Sequence, residues 1–377
     1  MNLIERELES IMLRKVKPGK IIILNGARRV GKTVLLKRLL EKIESPYLLM
    51  NGEDINTHIL LSKHSAENFR QIIGAKKVFA IDEAQRIPGI GQMLKLFADE
   101  LPEIKIIVTG SSAFDMTNAT GEPLTGRKYS YTLFPLSERE VQKTEPVTSS
   151  PDTMKQRLIY GSYPELLQIP DQQDKRDYLN ELVSSYLLKD ILAFENIKHS
   201  SKIFNLLRLI AHQTGNLVSY NELGTQLSIS KNTVEKYLDL LTKVYIIFKV
   251  EGFGGNLRKE ISKSSKWYFS DNGIRNTIIA NFNSLEVRND TGQLWENYMI
   301  SERLKYQHYM RLHTNNFFWR TYDRQEIDWV EEKDGNLSGF EFKWSGTKQK
   351  PPVAWSRTYP EATYTVINNE NYKECLK

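Results

Sequence analysis

The stretch IIILNGARRVGKTVLLKRLL, residues 21–40, joins an apolar strand to an amphipathic helix through a glycine-containing loop. Residues 26–33 of this stretch, GARRVGKT, match the pattern G-x-x-x-x-G-K-[ST] in full. The glycines let successive backbone N–H groups turn toward phosphate oxygens, and the amino end of the following helix favours the same negative charge. A strand before the loop and a helix after it are the context that this pattern requires. The stretch therefore predicts a P-loop NTPase domain.

The loop predicts that the chain binds ATP and Mg²⁺. Lys32 is expected to reach the β- and γ-phosphates, and the Thr33 hydroxyl is expected to coordinate Mg²⁺. Backbone N–H groups of the loop supply the other phosphate contacts. The predicted nucleotide-binding residues of this segment are Gly26, Ala27, Arg28, Arg29, Val30, Gly31, Lys32, Thr33 and Val34.

Acidic and hydroxyl residues follow two further apolar runs. VFAID (78–82) ends in Asp82, and Glu83 follows it. Asp82 is expected to hold the Mg²⁺ shell, and Glu83 to orient or deprotonate the attacking water. For Glu83 the alternative is an acidic helix start that the helix dipole favours. Thr109 and Ser111 (with Ser112) end the run IIVTGSS, where they sense the γ-phosphate or cap a helix or turn.

A catalytic arginine is harder to assign. Arg127 follows a glycine in a polar loop and is the first choice for a residue that contacts the phosphates from outside the phosphate loop. Arg28 and Arg29 lie inside that loop, where each either contacts phosphate or forms a salt bridge. The sequence leaves open whether the arginine acts in its own chain or on a second subunit.

Short apolar runs alternate with helical patterns in the first part of the chain. The runs that predict buried strands are KIIILNG (20–26), SPYLLMNG (45–52), KKVFAID (76–82) and IKIIVTGSS (104–112). This alternation indicates an α/β domain in which helices cover both faces of a parallel sheet. EPVTSSPD (145–152) has the composition of a linker. We therefore predict an ATPase domain over residues 1–147, a helical and winged-helix region over 148–290 and a third domain over 291–377.

The middle region predicts helices followed by a helix–turn–helix. SYNELGTQLSISKNTVEKYLDLLTKVYIIFKV (219–250) reads as a short helix, a Ser-Ile-Ser turn, a second helix from Lys231 and a strand, and SSKWYFSDNGI (264–274) contains a return strand. That order is typical of a winged helix. The predicted outward residues of the second helix are Lys231, Asn232, Thr233, Lys236 and Tyr237, and the inward ones are Val234, Leu238 and Leu241.

The outward residues and the following basic loop suit contact with DNA. Arg258, Lys259, Lys263 and Lys266 are expected to form a basic wing beside a phosphate backbone. The alternative is a packing module inside a larger ATPase, and the same helix carries the acidic residues Glu235 and Asp239. The sequence leaves both readings open.

The segment EIDWVEEKDGNLSGFEFKW (326–344) predicts a β-hairpin. Asp334-Gly335 is a favoured two-residue loop, so Lys333 should pair with Asn336. Counting outward sets Val330 opposite Gly339, Asp328 opposite Glu341 and Glu326 opposite Lys343, with all six side chains on one face. The other face, with residues such as Trp329 and Phe342, is expected to be a core face. Two opposed carboxylates destabilise a bare sheet, so Asp328 and Glu341 need a physical reason.

Composition limits the class of protein. The chain has 377 residues, a net charge of +6 and 26% charged residues, with a sequence pI near 9.0. The basic bias suits a polyanion partner without requiring one. Cys375 is the only cysteine, so no intramolecular disulfide or cysteine-cluster zinc site is expected. No apolar run approaches the roughly 20 residues that cross a bilayer. We expect no membrane partner and a cytoplasmic location.

Several blocks of the chain resemble the prokaryotic AAA-like ATPases of DExx type. The blocks are GARRVGKT, VFAIDEAQ, VTGSS, GRKYSYTLFPLSERE, YGSYPEL and GQLWENYMISERL. The resemblance covers essentially the whole chain. It implies an ATPase domain, then a helical and winged-helix region, then a C-terminal α/β domain of unknown function with a restriction-endonuclease-like core.

The resemblance also implies a second metal site. The restriction-endonuclease-like core uses an Asp, a Glu-x-Lys on the neighbouring strand and often a Glu on the preceding helix, which Asp328, Glu341, Lys343 and Glu296 match. Ile327 stands where the family pattern has proline, and Glu326 is expected to face Lys343 and neutralise it. A charged solvent face or a non-catalytic relic is therefore the alternative.

These observations predict an Mg-dependent ATPase whose winged-helix and nuclease-like half acts on DNA. The alternative function is a nucleotide-gated regulatory or partner-binding switch with a silent nuclease-like domain. A protein partner and self-association both stay open.

Overall fold

The computed structural model describes residues 4–63, 65–110, 124, 126–146, 150–187, 200–254, 264–346 and 350–377. The chain divides into two compact units. The first comprises Met1–Leu136 with Lys243–Tyr245, and the second comprises Ser137–Thr242 with Ile246–Lys377. The three-domain division at residues 147 and 290 stays a prediction.

A parallel sheet forms the centre of the first unit. Among the described residues its strands are β1 (Ile21–Asn25), β2 (Tyr47–Asn51), β3 (Val78–Asp82), β4 (Lys105–Gly110) and β5 (Lys128–Thr132). Their order is β2-β3-β4-β1-β5, with parallel pairing at every junction. The four strands predicted from apolar runs are confirmed. β5 was not predicted, because KYSYT is an edge strand with polar residues and no apolar run.

Helices cover this sheet. Their bounds are α1 (Glu7–Lys15), α2 (Lys32–Lys42), α3 (Ile55–Leu61), α4 (Ala66–Ile73) and α5 (Ile90–Glu100). Phe97 of α5 stacks on two other rings. Its centroid lies 4.0 Å from that of Phe69 in α4 and 4.8 Å from that of Phe79 in β3. These buried rings pack α4 and α5 against one face of the sheet.

The second unit begins with helices. Their bounds are α6 (Glu138–Gln142), α7 (Ser150–Tyr160), α8 (Gln172–Glu181), a π-helical turn (Leu182–Leu187) and α9 (Ser200–His212). Two more helices, α12 (Asn272–Ile278) and α13 (Thr291–Tyr309), lie further along the chain, after the helices α10 and α11 of the predicted helix pair. The helices predicted ahead of the helix–turn–helix are thus present among the described residues.

The predicted helix pair and its flanking strands are present. α10 (Tyr220–Leu227) and α11 (Lys231–Lys243) follow the short strand β6 (Leu217–Val218), and β7 (Ile247–Phe253) and β8 (Ser265–Phe269) come after them. β8 pairs antiparallel with both β6 and β7. The turn between the helices is tight, since a Cβ on Gly224 would lie 2.7 Å from the Ile229 carbonyl oxygen.

A seven-stranded mixed sheet runs through the described part of the second unit. Its remaining strands are β9 (Asn315–Arg320), β10 (Glu326–Lys333), β11 (Asn336–Phe342) and β12 (Thr363–Ile367), and α14 (Val353–Thr358) precedes β12. The order is β12-β11-β10-β9-β7-β8-β6. Glu251–Phe253 of β7 pair in parallel with Phe317–Trp319 of β9, which joins the strands beside the helix pair to the C-terminal strands. This junction was not predicted from the sequence.

The predicted hairpin is confirmed near its turn. Asp334 and Gly335 have φ values of +51° and +80°, as a two-residue hairpin loop requires. The pairs run from Lys333↔Asn336 to Trp329↔Phe340 in the predicted register.

The face assignment of β10 is only partly correct. The pairing of β10 with β9 shifts between Ile327 and Val330, which marks a bulge. As a result Ile327 and Val330 pack into one apolar cluster with Trp319 and Trp355, although strict alternation predicts opposite faces. β10 therefore has buried residues on both faces, and its carboxylates Asp328 and Glu331 are buried.

A buried carboxylate explains the glycine of the YGSYPEL segment (160–166). Asp271 accepts hydrogen bonds from the backbone N–H groups of Ser162 (2.7 Å), Gly273 (2.8 Å) and Ile274 (3.3 Å). Gly161 has φ +81°, and a Cβ at this position would lie 1.9 Å from Asp271 Oδ1. The glycine is required because the chain passes directly against this carboxylate.

No helix among the described residues has both the length and the apolar content needed to span a membrane.

Candidate functional site

The loop between β1 and α2 has the backbone that phosphate binding requires. Gly26, Arg29 and Gly31 have φ values of +152°, +62° and +98°. A Cβ on Gly26 would lie 2.3 Å from the Leu133 carbonyl oxygen, so only glycine fits there. The turns bring the loop to the amino end of α2, where backbone N–H groups favour an anion.

Lys32 lies inside this loop. Its Nζ donates to the carbonyl oxygens of Ala27 (2.8 Å) and Gly26 (3.1 Å), and its side chain is buried. The ammonium group is thus held within the curve of the loop. Arg28 is half-buried, whereas Arg29 and Val34 are exposed.

Three strand ends meet beside the loop. The Thr33 hydroxyl donates to Asp82 Oδ2 (2.7 Å), and the Thr109 hydroxyl donates to Asp82 Oδ1 (2.5 Å). This is possible because β4 lies between β1 and β3, so all three side chains project at the carboxyl edge of the sheet. A hydroxyl and a carboxylate in contact are oxygen ligands of the kind that Mg²⁺ prefers. The residues therefore fit a nucleotide-bound Mg²⁺.

Glu83 lies next to this network in an unusual backbone conformation. Its φ is +51°, and its N–H donates to Thr109 Oγ1 (3.0 Å). The carboxylate accepts a hydrogen bond from Gln85 Nε2 (2.5 Å) and makes no capping bond to the helical turn that follows it. The left-handed conformation costs free energy for a non-glycine residue, which is typical of functional positions.

Gly52 packs against the backbone of Asp82 and Glu83, a role that was not predicted from the sequence. Its N–H donates to the Asp82 carbonyl oxygen (2.7 Å), and a Cβ on Gly52 would lie 2.2 Å from the Glu83 carbonyl oxygen. His58 Nε2 donates to the Gly52 carbonyl oxygen (2.6 Å). The glycine after β2 thus allows close packing behind the two acidic residues. A glycine directly after a predicted strand is a weak signal for such a role.

Arg6 braces the phosphate loop and was also missed. Its guanidinium donates to the carbonyl oxygens of Val30 (2.7 Å) and Phe134 (2.6 Å), and the residue is 7% exposed. It links the loop to the chain that leaves β5. No motif marks Arg6, because its partners lie 24 and 128 positions further along the chain.

Arg127 lies at the end of the sheet where the strands begin, opposite the end that carries the phosphate loop. It directly precedes β5, and its carbonyl oxygen accepts from the N–H of Ile21 at the start of β1. Its Nε forms an ion pair with Asp99 (2.7 Å). The phosphate loop follows the end of β1, so Arg127 does not join the phosphate site of its own chain. Ser111 and Ser112 fall outside the described residues.

A second polar cluster lies in the second unit. Asp328 of β10 lies close enough to Glu296 of α13 and to Glu341 of β11 to raise the pKa of each carboxyl group. Burial, together with the charge of Asp328, raises the pKa of Glu296 to about 7. Burial raises the pKa of Asp328, and burial and the charge of Asp328 raise the pKa of Glu341. The structure thus brings together the three carboxylates that the sequence analysis grouped.

The cations of this cluster differ from the prediction. Glu326 does not pair with Lys343 in the described structure. Lys343 Nζ pairs with Glu341 Oε1 (2.7 Å), and Glu326 pairs with Lys266 Nζ (2.5 Å). The ladder ends at Trp329↔Phe340, so Asp328 Oδ2 instead accepts from the Phe342 N–H (2.9 Å).

Lys266 belongs to this cluster and not to a basic wing. It is 2% exposed, and the negative charges of Glu296, Asp328 and Glu326 outweigh burial and raise its pKa. The prediction of a surface role for Lys266 is wrong, because Lys266 is the second residue of the buried strand β8. Arg258, Lys259 and Lys263 lie outside the described residues.

These carboxylates do not fit a divalent metal ion as they stand. Within the described ranges, no group of three or more His, Cys, Asp and Glu side chains is arranged to hold one. An ammonium group already contacts Glu296 and Glu326. The metal set implied by the family resemblance, Asp328, Glu341 and Glu296, is therefore an ion-pair network in this structure.

The exposed face of α11 agrees with the prediction except at one residue. Lys231, Asn232 and Lys236 are exposed, and Thr233 is half-buried. Tyr237 is buried, so its predicted outward position is wrong. Tyr237 lies three residues after the buried Val234 and therefore on the same helical face.

Comparisons with protein families match three parts of the chain. An AAA domain matches residues 18–142, a domain of unknown function (DUF8612) matches 151–285, and another (DUF4143) matches 291–367. The amino-terminal part is thus an AAA-type P-loop ATPase domain, which contains the loop and the Asp82 network.

The proteins of similar sequence named below are described as uncharacterized. A protein of Mycobacterium tuberculosis is 25% identical over 92% of this chain and 75% of its own length. One of Haemophilus influenzae is 25% identical over 69% of each chain. Among solved structures, the Holliday junction branch migration motor RuvB of Thermotoga maritima aligns with 65% of this chain and 89% of its own, at 14% identity and a TM-score of 0.31. Likeness at this level supports no conclusion about function.

Proposed function

We propose that the first unit binds and hydrolyses ATP in the presence of Mg²⁺. The observation that carries the proposal is the chain of hydrogen bonds from Thr33 through Asp82 and Thr109 to Glu83, next to a complete phosphate loop. Static nucleotide binding would need the loop, but it would not need a strained acidic residue beside the magnesium ligands.

Each residue has a distinct task in this scheme. The loop N–H groups and Lys32 hold the phosphates, and the Lys32 ammonium group stabilises the negative charge that develops on them. Thr33 and Asp82 hold Mg²⁺, which supplies further charge stabilisation when it is bound. Glu83 orients the attacking water and accepts its proton, and Gln85 restrains the Glu83 carboxylate.

Lys32→Ala tests this function. We expect turnover to fall by at least about 10²-fold, because a preorganised charge in a buried site is lost. Phosphate release and calorimetric titration with ATP would measure turnover and binding. Lys37→Ala is the matched control, since Lys37 is an exposed lysine on the same helix. Turnover that survives Lys32→Ala would contradict the ATPase proposal.

The second unit supports a role in nucleic-acid binding as part of the same proposal. The order β6, α10, α11, β7, β8 is that of a winged helix, and α11 begins with the exposed residues Lys231 and Asn232. Lysine and asparagine at a helix start suit contacts with phosphates and base edges. ATP hydrolysis would then drive or switch this half on DNA.

A combined Lys231→Ala and Lys236→Ala variant tests the DNA role. We expect weaker binding to duplex DNA and a salt dependence shallower by about 2 in log–log slope, since each phosphate contact contributes about 0.9. Fluorescence anisotropy between low and physiological salt would measure both. A Lys333→Ala and Lys350→Ala variant removes equal charge from exposed positions elsewhere and serves as the control. Equal losses in both variants would favour the alternative, a nucleotide-gated switch for a protein partner.

A nuclease activity of the C-terminal half has less support than the ATPase activity. The carboxylates resemble a restriction-endonuclease-like set, but the lysine contacts described above do not fit a metal ion. We therefore favour a C-terminal domain without nuclease chemistry.

A further inference from the structure

Lys266 is a buried lysine of β8 whose side chain contacts a residue of β10, a strand that does not pair with β8. It lies on β8, which pairs with β6 and β7 beside the helix pair. The joined seven-stranded sheet allows its side chain to reach the carboxylates of α13 and β10. A lysine that is 2% exposed must be compensated by partners, since burial of an isolated charge is costly.

Its contacts are those of a central cation. Lys266 Nζ lies 2.5 Å from Glu326 Oε1, 3.6 Å from Glu296 Oε1 and 5.5 Å from the centre of the Phe318 ring. Tyr268 is two residues further along the strand and therefore faces the same side, and its hydroxyl donates to Glu296 Oε1 (2.7 Å). Two side chains of β8 thus bind the same carboxylate oxygen.

The rest of the cluster is compensated only in part. Lys343 neutralises Glu341 through Oε1, and Asp328 accepts a backbone N–H. Glu341 Oε2 is buried and makes no hydrogen bond to the described residues. Without Lys266, the remaining carboxylates would carry excess negative charge in a buried space.

We infer that the Lys266 ammonium group takes the place of a divalent cation in this cluster, which makes the C-terminal half a metal-independent domain that does not cleave nucleic acid. A divalent ion needs several oxygen ligands at about 2.0–2.6 Å. Glu296 Oε1 already binds a hydroxyl and an ammonium group, and the ammonium charge repels a second cation. This inference does not depend on ATP hydrolysis in the first unit.

The deciding experiment is Mn²⁺ titration of nucleotide-free protein, followed by electron paramagnetic resonance. An Asp82→Asn background removes the only carboxylate among the predicted magnesium ligands of the first unit, so that Mn²⁺ binding there is weakened and the C-terminal cluster is tested. We expect this protein to bind no Mn²⁺ at the cluster. Adding Lys266→Met should create a Mn²⁺ site at the cluster that binds at least about tenfold more tightly than any Mn²⁺ binding of the Asp82→Asn protein, because a positive charge near the ion is removed. Adding Asp328→Asn should abolish the gain.

Lys266→Arg is the matched control, because it keeps the positive charge and should gain no Mn²⁺ site. If Lys266→Met does not fold, the double variant Lys266→Met with Glu326→Gln takes its place. The double variant removes both charges of the Lys266–Glu326 ion pair. A folded neutral variant that gains no Mn²⁺ site would overturn the inference. It would also be overturned if protein with Lys266 intact bound Mn²⁺, or cleaved DNA with Mn²⁺, in a way that Asp328→Asn abolished.

Discussion

Glu83→Gln is expected to lower ATP turnover by about 10²- to 10⁴-fold while ATP binding stays close to that of the wild type. Glutamine keeps the size and one hydrogen-bond acceptor of the side chain but cannot take a proton. Phosphate contacts come from the loop and Lys32, so they are unaffected. A single-turnover assay would measure hydrolysis, and calorimetry with ATP and Mg²⁺ would measure binding.

Glu53→Gln is the control for this prediction. Glu53 follows β2, and its carboxylate is exposed and lies 4.0 Å from Arg86, outside the Asp82 network. The change removes the same charge close to the site, so a general electrostatic effect would appear in both variants. Hydrolysis that is unchanged in Glu83→Gln, or lost equally in Glu53→Gln, would remove Glu83 from the proposed mechanism.

Gly161→Ala should destabilise the second unit by about 3–5 kcal/mol or prevent its folding. Two effects add. An alanine at φ +81° costs about 1–2 kcal/mol, and its Cβ would lie 1.9 Å from Asp271 Oδ1. Asp271 cannot move away without losing its backbone hydrogen bonds to Ser162, Gly273 and Ile274.

Gly335→Ala separates the two effects. Gly335 has nearly the same φ, +80°, but a Cβ there would meet no atom within 4 Å. It should therefore show only the backbone cost. Urea unfolding followed by tryptophan fluorescence reports on the second unit, because the tryptophans lie at positions 267, 295, 319, 329, 344 and 355. Equal destabilisation by both changes would mean that the Asp271 contact contributes nothing.

The two compared glycines also show how far local sequence carries a prediction. The Asp334-Gly335 turn forms because these two residues themselves favour its backbone conformation, so the hairpin and its first pairs follow from the sequence. Gly161 is required by a carboxylate 110 positions away in the chain. No spacing rule in the sequence links the two residues, so this requirement appears only in the folded chain.

By itself, the sequence determined the phosphate loop, four of the five strands of the parallel sheet, the helix pair and the hairpin. These features depend on backbone turns, strand alternation and helix periodicity, which are properties of neighbouring residues. Only the tertiary structure decided that Arg6 braces the loop and that β7 pairs with β9. It also decided that Arg127 lies at the amino ends of the strands, away from the phosphate loop. It also decided that Lys266 enters the carboxylate cluster. Such contacts depend on where long side chains and strand edges meet in space, which residue spacing along the chain does not specify.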